Sequence, residues 1–270
     1  MSADPYQPWL DRWGLTPDGA AFTTRWGSHL LPVRHNSIAA MLKVAVQEEE
    51  RRGALLMAWW AGEGAAQVFA QEGDALLMER LDGGRSLAAM ATGGQDDEAT
   101  AILCATAAGL HAARANPAPA SLVPMDRWFA ALAPAAAAHG GTFAKAAAAA
   151  APLLAEPRDI VVLHGDYHHD NVLDGGPRGW LVIDPKGVLG ERAFEFANLF
   201  RNPTAELALT PGRMRRQAAI VAREARIEPR RLLQWVLAYA GLGAAWSLDS
   251  GHDAQPGLDI AEIAAAELGI

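Results

Sequence analysis

Apolar positions change their period along this chain, and the change divides it in two. Residues 38–46 (IAAMLKVAV) run almost unbroken, interrupted by Lys43, and read as a buried strand. The next segment, EEERRGALLMAWW, reads as a helix with acidic residues in its first turn, where they complement the helix dipole. GEGAAQVFAQEGDALLMERL then predicts two strands joined by a turn at Glu72, Gly73 and Asp74. Asp82, Gly83 and Gly84 have the composition of a flexible connector. Beyond them the pattern is helical, with Ala-rich segments over 96–115, 125–139 and 142–154, and further helices over 211–225, 229–247 and 259–268. The run KAAAAAAP (145–152) is of low complexity, but Ala is the best helix former, so it reads as helix. The expected fold class is α+β and bilobal, with a small β-rich lobe over 1–81 and a larger helical lobe over 82–270.

Composition narrows the functional classes. The 270 residues are 51% hydrophobic and 20% charged, as in an ordinary globular protein. The single cysteine, Cys104, excludes an internal disulfide and suits a reducing, cytoplasmic compartment. The first residues have no basic start followed by an apolar run, so no signal peptide is expected. No uninterrupted apolar stretch approaches the roughly 18 residues of a membrane span, so no membrane association is expected. A formal charge of −8 argues against a nucleic-acid partner and is compatible with a cationic ligand.

The densest chemistry lies in LHGDYHHDNVLDGGPRGWLVIDPKG, residues 163–187. Its apolar pieces predict short strands at 161–163, 172–173 and 181–183, with the Gly- and Pro-rich DGGPRG between the last two. In such a hairpin Asn171 and Asp184 leave at the same open end, close enough to share one hard cation of the Mg²⁺ type. Asp166 precedes them on the loop entering the hairpin. Asp, four residues, Asn, then Asp on the next strand is the spacing that phosphoryl transfer uses in protein kinases. The histidines suggest a competing metallophosphoesterase, but His29, His35, His111, His139 and His252 are scattered singly and supply no second ligand group. A kinase also needs a cation on the nucleotide phosphates. Lys43, inside an apolar strand, needs a partner there, and Glu50 on the following helix is the choice over Glu48 and Glu49. No G-x-G-x-x-G loop is present; Gly27 alone marks a candidate phosphate loop.

HGDYHHDNVL followed by GWLVIDPKGVLGERAFEFANLFRNP resembles the aminoglycoside 6-phosphotransferase (streptomycin kinase) and hydroxyurea phosphotransferase family, and MLKVA, EERRGALLMAWWAGEGAA and PRRLLQWVLAYAGLGAAWSLDSG extend the resemblance over most of the chain. The resemblance implies a protein-kinase-like fold, with ATP (or another NTP) and Mg²⁺ used to phosphorylate a hydroxyl of a small antibiotic. It makes Asp166 the catalytic base, Asn171 and Asp184 the metal ligands, and Lys43 and Glu50 the phosphate-binding pair. Residues 78–81, Glu79 and Leu81 among them, become the hinge beside adenine. His168 stands near the transferring phosphate, with loop structure as the alternative role for it and for His169. Lys186 and Arg192 reach phosphate or substrate, or serve in structural pairs. Glu195 departs from the family's usual Asp while keeping the charge. The implied acceptor is a cationic aminoglycoside such as streptomycin, with Asp249, Asp253 and Glu262 as candidate carboxylates and Trp246 as a stacking face or a core residue. Hydroxyurea or another metabolite is the alternative acceptor, and a monomer is expected.

Overall fold

The computed structural model describes residues 4–24 and 27–270 and has the two-lobed α+β architecture that the pattern predicts. The first lobe contains helix α1 (Gln7–Trp13), strands β1 (Thr16–Pro17), β2 (Phe22–Thr23), β3 (His29–His35) and β4 (Ile38–Val44), helix α2 (Glu48–Trp60), and strands β5 (Val68–Glu72) and β6 (Ala75–Glu79). The strands form one antiparallel sheet in the order β1-β3-β4-β6-β5, with β2 paired to β3. β3 and β4 are joined by Asn36 and Ser37, both at positive φ (48° and 67°), a tight turn whose twist suits the flanking strands.

Alternation along β4 explains the unbroken apolar run. Ala40, Leu42 and Val44 point away from the cleft and pack with Leu31, Val33 and Leu77, while Met41 and Lys43 face it. Helix α1 covers the outer face with Trp9, Leu10 and Trp13. The sequence pattern does not predict α1, because seven residues carry too little periodicity. The helix covers part of the sheet's outer face.

The second lobe contains α3 (Leu87–Met90), α4 (Asp96–Leu110), β7 (Val123–Pro124), α5 (Met125–Trp128), α6 (Leu132–His139), α7 (Gly141–Ala155), β8 (Ile160–Leu163), β9 (Val172–Asp174), β10 (Trp180–Val182), β11 (Val188–Glu191), α8 (Ala205–Ala208), α9 (Arg213–Ala225), α10 (Pro229–Asp249) and α11 (Gln255–Leu268). Helix α10 is buried on all sides from Trp235 to Ala245, as a central helix must be. The helix expected over 125–139 is divided into α5 and α6. Pro134 cannot donate to the carbonyl four residues back, so a helix restarts just before it. Asp96 and Arg213 tie α4 to α9 through a buried bidentate pair at 2.7 and 2.9 Å. No helix among the described residues is long and apolar enough to cross a membrane.

Two small sheets carry the densest sequence. β9 and β10 form the expected hairpin, with Val172 opposite Val182. β11 pairs antiparallel with β8, Val188 opposite Leu163, and parallel with β7. The ends of these sheets hold the loop 164–171 and the segment 183–187 side by side.

Candidate active site

The hairpin register places Asn171 beside Ile183, whose N–H donates to the Asn171 carbonyl at 3.0 Å. Asp184 lies one residue further than simple opposition of the two would require, and its φ of 58° turns the chain there. Both side chains line a cavity of about 330 Å³ between the lobes. Its roof comes from the sheet: Lys43, on β4, reaches across and pairs with Asp184 Oδ1. Glu50 Oε1, on α2, lies 3.5 Å from the same ammonium, so of the three consecutive glutamates Glu50 is the one beside Lys43. Glu48 turns instead to Arg51, at 3.3 Å, and Glu49 to Lys186, at 3.5 Å. Helical rotation of about 100° per residue separates the three.

Helix α2 sits directly on the segment after Asp184. A Cβ on Gly53 would collide with the Pro185 carbonyl oxygen, so only Gly permits this approach. Arg52 Nε donates to the Lys186 carbonyl at 2.7 Å. Residues 78–81 line the far end of the cavity, so Glu79 and Leu81 share it with Lys43, Asn171 and Asp184. The Glu79 carboxylate is engaged by Arg178, from the β9–β10 turn, and by the Gln67 N–H at 2.7 Å. Glu79 thereby ties β6 to the β9–β10 turn. Phe22 and Thr24 close another wall beside Gly27, which has φ of 95° in the β2–β3 turn. Arg25 and Trp26 of that candidate phosphate loop lie outside the described residues.

Asp166 sits on the loop below. Asn198 Nδ2 donates to Asp166 Oδ1 at 2.9 Å, and Asn171 Nδ2 donates to the Asp166 carbonyl at 2.8 Å and to Oδ2 at 3.3 Å. His168 Nδ1 accepts from the Asp170 N–H at 3.3 Å, and Nε2 faces Asp166 Oδ2 at 3.8 Å. Burial acts to raise the Asp166 pKa, but His168 and Lys186 outweigh it and hold the carboxyl well below its usual range. Asp184 is likewise held low, with Lys43 and Lys186 outweighing burial. Both groups are therefore carboxylates near neutral pH.

Glu195, fully buried, fastens the base of this loop. Its oxygens accept from the His164 N–H at 2.7 Å, the Gly165 N–H at 3.0 Å and His111 Nε2 at 3.1 Å. His164 accepts from the Asp166 N–H through Nδ1 at 3.2 Å, so Nε2 carries the hydrogen donated to the Ile183 carbonyl at 2.8 Å. Burial pushes its pKa down, consistent with a neutral ring. His169 is buried and belongs to the loop interior. These two histidines serve the loop, and among the described residues no group of three or more His, Cys, Asp or Glu side chains is arranged to hold a metal.

Sequence reasoning does not single out Asn198, whose only signal is its place in the ANLF run near Glu195. Arg192 pairs with Asp159 at 2.5 Å and with the Ala225 carbonyl at 2.7 Å, and lines a separate small cavity. Among the carboxylates proposed for the acceptor, Glu262 is held by Thr142 and by Lys145 at 3.4 Å, and Asp253 accepts from the Gln255 N–H at 2.9 Å. Trp246 packs edge-on against Trp128 at 5.4 Å and Tyr239 at 6.1 Å, a core-like setting.

A roofing lysine paired with a helical glutamate, above an Asp, Asn and Asp set between two lobes, defines the class: a small-molecule kinase of protein-kinase-like fold. The chain belongs to the aminoglycoside/hydroxyurea antibiotic resistance kinase family, whose sequence model matches residues 12–251. It is 50% identical to streptomycin 3''-kinase of Klebsiella pneumoniae over 90% of this chain and 92% of that protein. It is 29% identical to streptomycin 6-kinase of Streptomyces griseus, over 90% of this chain and 81% of that one. Among solved structures, a thermostable mutant of aminoglycoside phosphotransferase APH(4)-Ia, in ternary complex with ADP and hygromycin B, superposes with a TM-score of 0.63 at 16% identity. The match covers 97% of this chain and 96% of that one, and shows the shared fold.

Proposed function

We propose that this kinase transfers the γ-phosphoryl group of ATP to the 3''-hydroxyl of streptomycin. The observation that carries the reading is the meeting of Asn171 and Asp184 below Lys43 at one interlobe cavity, with Asp166 bonded to Asn171 at 3.3 Å. The choice of acceptor and hydroxyl is supported by the streptomycin 3''-kinase relative.

Each residue then has a task. Lys43, fixed by Glu50, holds the nucleotide phosphates, and residues 78–81 face adenine. Asp166, aligned by Asn198 at 2.9 Å, orients the acceptor hydroxyl and takes its proton. The hydroxyl oxygen bonds to the γ-phosphorus as the bond to the bridging β-oxygen breaks, and ADP leaves with that electron pair. His168 lies beside Asp166 and faces the transferring group. Asn171 uses its amide nitrogen on Asp166, which leaves its oxygen, with Asp184, as a hard donor pair of the kind Mg²⁺ takes together with phosphate oxygens. Those two residues would hold Mg²⁺, which when bound neutralises charge on the β- and γ-phosphates. We place the boundary between nucleotide-binding and catalytic lobes at residues 81/82 and the working form as a cytoplasmic monomer.

The test is an ADP-release screen over aminoglycosides and hydroxyurea, with the phosphorylated position of the product assigned by NMR. Streptomycin is expected to stimulate turnover and to carry phosphate at 3''. Asp166→Ala is expected to abolish transfer while retaining AMP-PNP binding. An active Asp166→Ala enzyme would refute the base assignment, and silence across the panel would refute the acceptor.

A further inference from the structure

A second lysine stands beside Asp184. The Lys186 ammonium lies 3.4 Å from Asp184 Oδ2 and 3.5 Å from Glu49 Oε1, and its side chain is only 10% exposed. Glu49 differs from its partner: on the first turn of α2, it is 40% exposed. Its ion pair among the described residues is with Lys186. The backbone on both sides of this contact is fixed. Lys186 N–H donates to the His164 carbonyl at 2.7 Å, while Arg52 and Gly53 hold α2 against residues 185 and 186. Lys186 thus extends from a rigid base between the carboxylate of Asp184 and that of Glu49.

The base is linked to the Asp184 carboxylate through Asn171, which lines the cavity with Asp184 and donates to Asp166 Oδ2 at 3.3 Å. Lys186 lies close enough for its charge to act on Asp166. The buried Tyr239 hydroxyl, on α10, has its pKa raised by burial, with the charges of both Asp166 and Glu49 adding to that effect. Asp184 and Lys186 thus connect the Glu49 carboxylate to the cavity whose Asn171 holds Asp166.

We propose that Lys186 binds the γ-phosphoryl group during transfer and that Glu49 binds a cationic group of the acceptor, so that acceptor binding takes Glu49 from Lys186 and frees the lysine for the phosphate. This rests on the reading of the acceptor as an aminoglycoside. The guanidinium groups of streptomycin can form a two-point fork on a carboxylate, which a single ammonium at 3.5 Å does not match. Exchange at Glu49 is then favourable for a guanidinium and not for a neutral molecule. Lys186 keeps its proton throughout. The acceptor proton still goes to Asp166, and the ammonium, retaining Asp184, turns a freed N–H toward the transferring oxygens. In the absence of acceptor, the Glu49 contact keeps Lys186 from assisting attack by water.

The experiment measures streptomycin affinity by calorimetry in the presence of AMP-PNP, together with kcat, for the wild type, Glu49→Gln, Lys186→Met and Lys186→Gln. AMP-PNP affinity and melting temperature report folding, and the two Lys186 substitutions guard against one that fails to fold. Glu49→Gln is expected to weaken streptomycin binding tenfold or more. Both Lys186 variants are expected to bind streptomycin at least threefold more tightly, because the competitor for Glu49 is gone, while kcat falls a hundredfold or more. A lysine with a purely structural task would instead lose affinity and turnover together. Unchanged or weaker streptomycin binding in the folded Lys186 variants, or wild-type affinity in Glu49→Gln, would overturn the proposal. A wild-type enzyme that neither binds nor phosphorylates streptomycin overturns the acceptor reading beneath it, and that arm is measured before any variant.

Discussion

Replacing Glu195 with Ala removes the acceptor of three hydrogen bonds at the base of the catalytic loop. The donors are the His164 and Gly165 N–H groups, at 2.7 and 3.0 Å, and His111 Nε2 at 3.1 Å. The Glu195 side chain is fully inaccessible and that of His111 only 4% exposed, so water does not readily replace the carboxylate. Each buried donor left without a partner costs about 1–3 kcal/mol, and the space vacated by the side chain adds to it. The expected loss is about 3–6 kcal/mol, a large part of the roughly 5–15 kcal/mol that stabilises a typical domain. The loop leads directly to Asp166, so kcat should fall further than the melting temperature alone implies.

The same residue has a pH signature. Burial acts to raise the Glu195 pKa, but His111 and the Gly165 N–H outweigh it and hold it below the ordinary 4.5. The unfolded chain then binds the proton more readily than the folded one. The stabilisation from this carboxylate is full above pH 4.5 and is lost as pH falls through the depressed folded value. Urea denaturation of wild type and Glu195→Ala at pH 7 and at pH 4 and below, with kcat at pH 7, measures both effects. The gap between the two proteins should be widest at pH 7 and narrow in acid. A variant within about 1 kcal/mol of wild type at pH 7 would refute the reasoning, since a single orphaned buried donor costs that much.

Gly53→Ala puts a methyl group into the Pro185 carbonyl, so α2 must retreat from residues 185 and 186. A stability loss of about 1–3 kcal/mol is expected, with weaker AMP-PNP binding because Glu50 and Lys43 move relative to Asp184; wild-type nucleotide affinity would show that the approach of α2 is not needed. Asn198→Ala removes the 2.9 Å bond that aligns Asp166. The expected result is a kcat lower by about 10- to 100-fold with nucleotide affinity unchanged, a part of the roughly 10²–10⁴ that a positioned base contributes, and steady-state kinetics with AMP-PNP titration checks it.

Legible along the chain were the two-lobed α+β class, the β9–β10 hairpin with Asn171 and Asp184 at its open end, and the placement of Lys43 on a strand before a helix rich in glutamate. Such features are local. Strand alternation, Gly- and Pro-directed turns and acidic first turns act over a few residues, so their spacing can be read along the chain. The sequence also favoured Glu50 as the partner of Lys43, but where the other two glutamates turn was settled only in the folded chain. Glu48, Glu49 and Glu50 are chemically alike, yet they turn to Arg51, Lys186 and Lys43, because helix rotation and the seat of α2 against Pro185 give each a different view. Tertiary structure also decided that Glu195 and Asn198, about thirty residues beyond the loop, orient it, and that Arg192 pairs with Asp159 and with the Ala225 carbonyl. A buried polar group must find a partner wherever the folded chain supplies one, and that choice depends on distances in space that sequence separation does not encode.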